Sequence, residues 1–211
     1  MPRLKQVPRS EATPEILQIY DHYFGDRDPV AEPGTSTGTP GHWWTVTAVA
    51  PEIFNHILAG MVLHSSPDRK LDEQLRELGM TRAGYLVGSK FVFSQHCKVA
   101  RHVGLSEEKV SALPAWSLAT CYSPIERAVL AYTDELVLSR GRVSDVTFDS
   151  LRESLSDEEI MEFTYVTLTY TMHATISRAF RLEYDDIDEH VVEIPSPTGQ
   201  DSENVMQGVN E

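Results

Sequence analysis

Apolar residues recur every three or four positions along most of the chain, which is the period of an amphipathic helix. Such stripes run through residues 71–82, 91–103 and 156–180. Strand-like alternation is weak and confined to residues 164–171, where the length of the surrounding apolar run favours a helix. The pattern therefore predicts a single all-α domain over residues 13–190.

Capping signals predict where several of these helices begin. Ser123-Pro124-Ile125-Glu126 combines an N-cap serine, a proline at the first helical position and a glutamate at the third, and Ser156-Asp157-Glu158-Glu159 is a second capping box. Thr13-Pro14 opens a shorter helix. The apolar stretch over residues 43–63 is also predicted to be helical, with Pro51 as the point where it breaks or kinks.

Three segments lack helical periodicity. Residues 1–12 and 191–211 are polar and carry nothing periodic to bury, so we predict flexible tails at both ends. Residues 25–41 form a long run rich in Pro, Gly and Thr. A loop of this length inside a compact domain is usually functional, so we expect residues 25–41 to form a loop or lid beside a ligand site.

The charge balance excludes several classes of partner. Eighteen Lys and Arg stand against 32 Asp and Glu, which gives a formal net charge of −14. Such a chain repels nucleic-acid phosphates and anionic lipid heads, and it has no basic run to offset this. No apolar stretch reaches the roughly 20 residues of a membrane span, and no signal-like run follows Met1. We therefore expect a cytoplasmic protein that acts on a small molecule, without nucleic-acid or membrane partners.

One histidine and one glutamate form a candidate catalytic pair. His96 shares a helix face with Val92, Val99 and Val103, and Glu77 lies beside the leucine stripe of the preceding helix. A tight turn between the helices would pack them antiparallel and bring the two side chains close. A carboxylate–imidazole pair suits proton transfer. The alternatives are a core histidine bonded to a backbone carbonyl and a glutamate in a salt bridge on a solvated face.

A family resemblance strengthens this interpretation. It is carried by Leu71 to Leu78, Gly88-Ser89, Gln95-His96, Ala100, Gly104-Leu105-Ser106 and Glu126 to Leu136. In this order they resemble the carboxymuconolactone decarboxylase and alkylhydroperoxidase D-like family, whose signature is a Glu, a turn, and a helix with His, Ala and Gly at four-residue steps. The resemblance covers about residues 43–183. It implies an alkylhydroperoxidase D-like helical bundle, assembled as a homo-oligomer, commonly a trimer or hexamer.

The cysteines depart from the family pattern. Peroxidase members carry a CxxC motif whose second cysteine lies four residues before the histidine, and Ser89 and Val92 occupy those positions here. A thiolate is the nucleophile in that chemistry, so the motif's mechanism is not transferred. Cys97 and Cys121 are predicted to be buried structural thiols. A thiol peroxidase using one of them stays open as an alternative.

The sequence thus predicts an enzyme of the carboxymuconolactone decarboxylase-like type that needs no cofactor. His96 would be the general acid or base and Glu77 its orienting partner, in decarboxylation, isomerisation or elimination of a small oxygenated or polyketide-like substrate. Candidate substrate-binding residues are Trp44, Tyr85, Ser89, Tyr170 and His173. No metal site is predicted, because no HExxH pattern or comparable ligand spacing occurs. A ligand-binding or assembly subunit without turnover is the non-enzymatic alternative.

Overall fold

A computed structural model describes residues 1–186 and 189–205, and all the regular structure in these ranges is helical, which confirms the all-α prediction. The helices are α1 (Pro14–Phe24), α2 (His42–Thr47), α3 (Pro51–Ser65), α4 (Glu73–Val87), α5 (Lys90–His102), α6 (Glu107–Ala112), α7 (Pro124–Leu138), α8 (Asp145–Arg152) and α9 (Asp157–Phe180), with short 3-10 segments at Arg9–Glu11 and Leu113–Leu118.

The helix starts follow the capping chemistry of the sequence. At the start of α7, the Glu126 amide donates to Ser123 Oγ at 3.4 Å, and the Ser123 amide donates to Glu126 Oε2 at 2.7 Å. The same reciprocal bonds join Ser156 and Glu159 at the start of α9. Pro51 separates α2 from α3, because its ring fits the first turn of a helix but not its interior.

Helix α4 lies at the centre of the main core, where it packs against α5, α7 and α9. Leu78 of α4 and Phe163 of α9 are completely buried. The two helices approach closely at Gly79, since a Cβ atom there would lie 2.6 Å from the Phe163 ring. Glu77 of α4 is 1% exposed, so it also lies deep inside the bundle.

A smaller core forms around α1, α2 and α3, and it also holds the N-terminal residues. The Val7 amide donates to the Thr45 carbonyl at 2.8 Å, and the Tyr20 hydroxyl donates to the Val7 carbonyl at 2.8 Å. Val7 itself is buried. The structure thus differs from the flexible tail predicted for residues 1–12, because a backbone pairing and one apolar anchor hold this segment in the absence of any periodic pattern.

The C-terminal residues 189–205, which we call the C-terminal strap, also differ from the disordered tail predicted for residues 191–211. The Ile194 side chain is buried, its amide donates to Ser94 Oγ at 2.7 Å, and its carbonyl accepts from Lys98 Nζ at 2.6 Å. Arg101 holds Glu193 through both carboxylate oxygens. Polar contacts with α5 thus hold the strap in place. The prediction of disorder relied on the absence of an apolar period, which does not report such contacts. The predicted disorder of residues 206–211 lies outside the described residues.

Candidate active site

Glu77 of α4 and His96 of α5 form a buried hydrogen-bonded pair. A two-residue turn joins the helices, with Gly88 in the left-handed conformation (φ 78°) and Ser89 capping α5 by accepting from the Val92 amide. Glu77 Oε2 lies 2.8 Å from His96 Nδ1, and the two residues are 1% and 3% exposed. The turn therefore brings together the two side chains that the sequence singled out.

The neighbours of the pair fix its orientation. Arg76 Nε donates to Glu77 Oε1 at 3.3 Å, so each oxygen of the carboxylate has a partner. The Tyr170 ring stands edge-on to the His96 imidazole, with 4.4 Å between ring centroids. Because Nδ1 bonds Glu77, Nε2 is the imidazole nitrogen that a ligand would meet. This is the geometry of a general acid or base oriented by a carboxylate.

His96 borders a small cavity of about 60 Å³, which we call the first cavity. Its aromatic walls are Tyr23, Trp43, Trp44, Phe91 and Tyr170. Its polar groups come from Thr35, Thr37, Thr39, Gln95, His96 and His173. Val205 of the C-terminal strap also contributes, and its carbonyl accepts from the Tyr23 hydroxyl at 2.9 Å. The first cavity is thus an aromatic pocket with a few polar groups, which is the usual composition of a small-molecule site.

Three of the five predicted substrate-binding residues, Trp44, Tyr170 and His173, line the first cavity. Tyr85 does not, and its ring packs against Phe93. Ser89 does not either, because its Oγ donates to Asp185 Oδ2 at 2.6 Å and accepts from the Val92 amide. Ser89 is therefore occupied in holding the start of α5.

Several lining residues were not predicted from the sequence, of which Gln95 is the most informative. Gln95 Nε2 is buried and has no hydrogen-bond partner within the described residues. Its position next to His96 was the available signal. Thr35, Thr37 and Thr39 were also missed, although they alternate within the loop that we predicted to be a lid. The Thr35 hydroxyl is hydrogen-bonded to the Thr37 hydroxyl at 3.1 Å and to the Thr39 hydroxyl at 2.9 Å, which fixes this part of the cavity wall.

His173 is a neutral polar group in this wall. Burial, together with the nearby His96 and His64, lowers the pKa of His173 from 6.5 to about 4. Its ring centroid is 5.1 Å from that of Tyr170 and 5.2 Å from that of Trp43. At neutral pH it can therefore accept or donate one hydrogen bond to a ligand without carrying charge.

The other reactive groups lie away from the first cavity. Cys97 is 1% exposed, and burial raises the pKa of its thiol. Cys121 is partly exposed, and both thiols are free.

Within residues 1–186 and 189–205, no group of three or more His, Cys, Asp or Glu is arranged to hold a metal ion. In the same described residues, no helix is long and apolar enough to cross a membrane.

Fold and site together define an all-helical protein with a carboxylate–imidazole pair beside an aromatic pocket. Residues 50–135, which contain the pair, match the carboxymuconolactone decarboxylase family. The uncharacterized protein YdfG of Bacillus subtilis (strain 168) is 28% identical over 97 residues, which are 46% of this chain and 66% of YdfG. This central part of the chain is thus similar to the carboxymuconolactone decarboxylase family.

Solved structures share the fold. A protein of unknown function, ATU0492, from Agrobacterium tumefaciens is 28% identical, with a TM-score of 0.56 over 69% of this chain and 94% of that one. An alkylhydroperoxidase AhpD core protein from Ralstonia eutropha JMP134 is 15% identical, with a TM-score of 0.66 over 86% of this chain and 95% of that one. The fold is therefore alkylhydroperoxidase D-like, as the sequence predicted.

Proposed function

We propose that this protein is an enzyme that moves a proton on a small organic substrate in the first cavity, without a cofactor. His96 is the general acid or base and acts through Nε2, and Glu77 is its positioning residue. The observation that carries the proposal is the 2.8 Å contact between Glu77 Oε2 and His96 Nδ1 at the wall of an aromatic cavity. We further propose that it works in the cytoplasm.

The three reactions that fit this pair share one step, proton transfer at a carbon beside a carbonyl group. In decarboxylation, the bond from that carbon to the carboxylate breaks, CO₂ leaves, and the electron pair remains as an enolate. The His96 imidazolium then delivers its proton to the carbon and is recharged from solvent. In isomerisation the neutral ring removes such a proton, and the imidazolium returns it to another carbon of the enolate. In elimination the ring removes the proton, and the electron pair of the enolate expels a leaving group from the neighbouring β-carbon. In each case the Glu77 carboxylate stabilises the imidazolium and fixes its orientation.

The lining of the first cavity favours a small oxygenated substrate with a planar part. Aromatic side chains supply the apolar contact, while Gln95 and His173 can hydrogen-bond to ring oxygens. The cavity of about 60 Å³ is smaller than such a substrate. Part of its wall must therefore move outward on binding, and the threonine-bearing loop and the C-terminal strap are the segments of the wall outside the helices.

The test is a proton-exchange assay, which detects the shared step whatever product is formed. Lactones, keto acids and cyclic diketones are incubated with the protein in D₂O, and loss of the α-proton signal is followed by NMR. We expect the wild-type protein to speed exchange in at least one class and His96→Gln to lower that rate by roughly 10²–10⁴-fold. His56→Gln changes an exposed histidine of α3 and is the matched control. Unchanged exchange in folded His96→Gln would contradict the proposal.

The peroxidase alternative makes a different prediction. It needs a reactive thiolate, but Cys97 is buried with a raised pKa and neither cysteine lines the first cavity. We therefore expect slow labelling of Cys97 by a thiol reagent in the native protein and no loss of the exchange reaction in Cys97→Ser or Cys121→Ser. Rapid labelling together with hydroperoxide turnover would favour the peroxidase. Recovery of an unchanged bound compound would favour a ligand-binding subunit.

A further inference from the structure

We infer that a second cavity, separate from the first, binds the carboxylate of a small organic acid with an apolar body. It has a volume of about 380 Å³ and lies at the corner between α3 and α4, where Glu77 borders it. Tyr170 borders both cavities, whereas His96 borders only the first. The proposal concerns binding, and it stands on its own residues rather than on the proposed reaction.

Two buried polar atoms of residues that line the second cavity have no partner. His64 is 7% exposed, and its Nε2 makes no hydrogen bond within the described residues. Arg69 Nε is likewise buried without a partner there. A buried donor without a partner lowers the stability of a protein by about 1–3 kcal/mol. Such a group therefore usually bonds a ligand or an ordered water. These two atoms, on residues that line one cavity, are the observation from which we infer an acceptor such as a carboxylate there.

Two arginines bring hydrogen-bond donors and positive charge to the wall of the second cavity. Arg76 donates from Nη1 to the His64 carbonyl at 2.6 Å and from Nε to Glu77, and Arg69 lies 3.3 Å from Glu162. Burial is the main cause that lowers the pKa of His64 to about 4, and the charges of Arg76 and Arg69 add to it. The carboxylates nearby are Glu77, which is bonded to His96 and Arg76, Glu162, which is paired with Arg69, and Glu73.

The remainder of the lining selects an organic anion over an inorganic one. Leu71, Met80, Val99 and Val103 form an apolar part of the wall. A bare phosphate would leave this surface in contact with water, whereas an aromatic or aliphatic carboxylate would cover it. The volume matches the lower end of the range found for small-molecule sites, which is about 300–1,000 Å³.

The test uses benzoate, with neutral benzamide and inorganic phosphate as comparison ligands, in titrations followed by the ring signals of the histidines. We expect saturable binding of benzoate that shifts His64 and leaves His173, which lines the first cavity, unchanged. Benzamide and phosphate should bind at least tenfold more weakly. An equal response to benzamide, tighter binding of phosphate, or a shift of His173 instead of His64 would overturn the inference.

Substitutions then locate the carboxylate. Arg69→Met and His64→Leu each remove one donor at similar volume, and each should weaken benzoate binding roughly tenfold or more, as for a hydrogen bond to a charged group. Arg152→Met, which removes an arginine whose side chain is largely exposed on α8, should leave affinity unchanged. Wild-type affinity in both folded cavity variants would show that benzoate binds elsewhere and would overturn the inference. No turnover is measured, so this outcome would not bear on the proposed reaction.

Discussion

At the scale of single residues, the site depends on how a buried carboxylate is compensated. An isolated charge inside a protein is costly, but Glu77 bonds His96 with one oxygen and Arg76 with the other. The sequence could predict that Glu77 and His96 approach each other, because a short turn fixes how their helices pack. It could not predict the bond from Arg76, which depends on a side-chain conformation within the assembled core.

The buried His173 makes stability depend on pH. Its folded pKa of about 4 lies below its ordinary 6.5, so protonation favours the unfolded state. Its contribution is fully present above pH 6.5 and is lost progressively as the pH falls from 6.5 to 4. From pH 7 to pH 5, His173 should account for about 2 kcal/mol of the loss in unfolding free energy. Urea unfolding at both pH values should show that His173→Phe removes this part.

The exposed His56 provides the control for this measurement, since His56→Phe should keep the wild-type dependence on pH. Burial raises the pKa of Glu183 to about 7, and this contributes with the opposite sign, because the protonated acid is favoured in the folded state. That contribution is common to all three proteins and cancels in the comparison. An equal fall in stability for wild type and His173→Phe would mean that His173 is not buried as described.

At the scale of elements, segments without periodicity complete the first cavity. The loop over residues 25–41 supplies threonines, and the C-terminal strap supplies Val205. They meet at Gly38, where a Cβ atom would lie 2.5 Å from the Pro195 carbonyl oxygen. Capping boxes predicted the helix starts because their chemistry is local. The position of the strap could not be predicted in this way, since it depends on single polar contacts with α5, which is distant in sequence.

The strap should depend on Lys98, whose side chain is completely buried and whose Nζ donates to the Ile194 carbonyl. Lys98→Met keeps most of the volume but removes the shorter of two hydrogen bonds to that carbonyl, which then accepts only from Ser94 Oγ at 3.1 Å. We expect a loss of about 1–3 kcal/mol in unfolding free energy and faster proteolytic cleavage within residues 189–205. Mass spectrometry of the fragments gives the cleavage site. Lys5→Met, at an exposed lysine, is the control, and equal cleavage of the two variants would contradict this account of the strap.

At the scale of the whole molecule, α9 carries an apolar stripe on its outer face. Met161, Tyr165, Leu168 and Met172 lie at four-, three- and four-residue steps and are 44–68% exposed. Scattered apolar residues are normal on a surface, but an ordered stripe on one helix is typical of an interaction face. We propose this stripe as the contact face of the homo-oligomer, a trimer or hexamer, that the family resemblance implies.

We therefore expect a trimer or hexamer in sedimentation experiments. Introducing charge into the stripe with Tyr165→Glu and Leu168→Glu together should shift the protein to smaller species, because a buried unpaired carboxylate is costly at an interface. Val146→Glu introduces the same charge at an exposed apolar residue of α8 and should not change the mass. A monomeric wild-type protein would remove this prediction without affecting the site inside each chain.

The most direct test of the central claim is a double-mutant cycle on the pair, measured as the rate of α-proton exchange. If Glu77 acts by positioning His96, then Glu77→Gln lowers the rate in the presence of His96 and has little further effect in the His96→Gln background. The double variant should therefore be no slower than His96→Gln alone. Additive losses, or a Glu77→Gln variant with the wild-type rate, would contradict it.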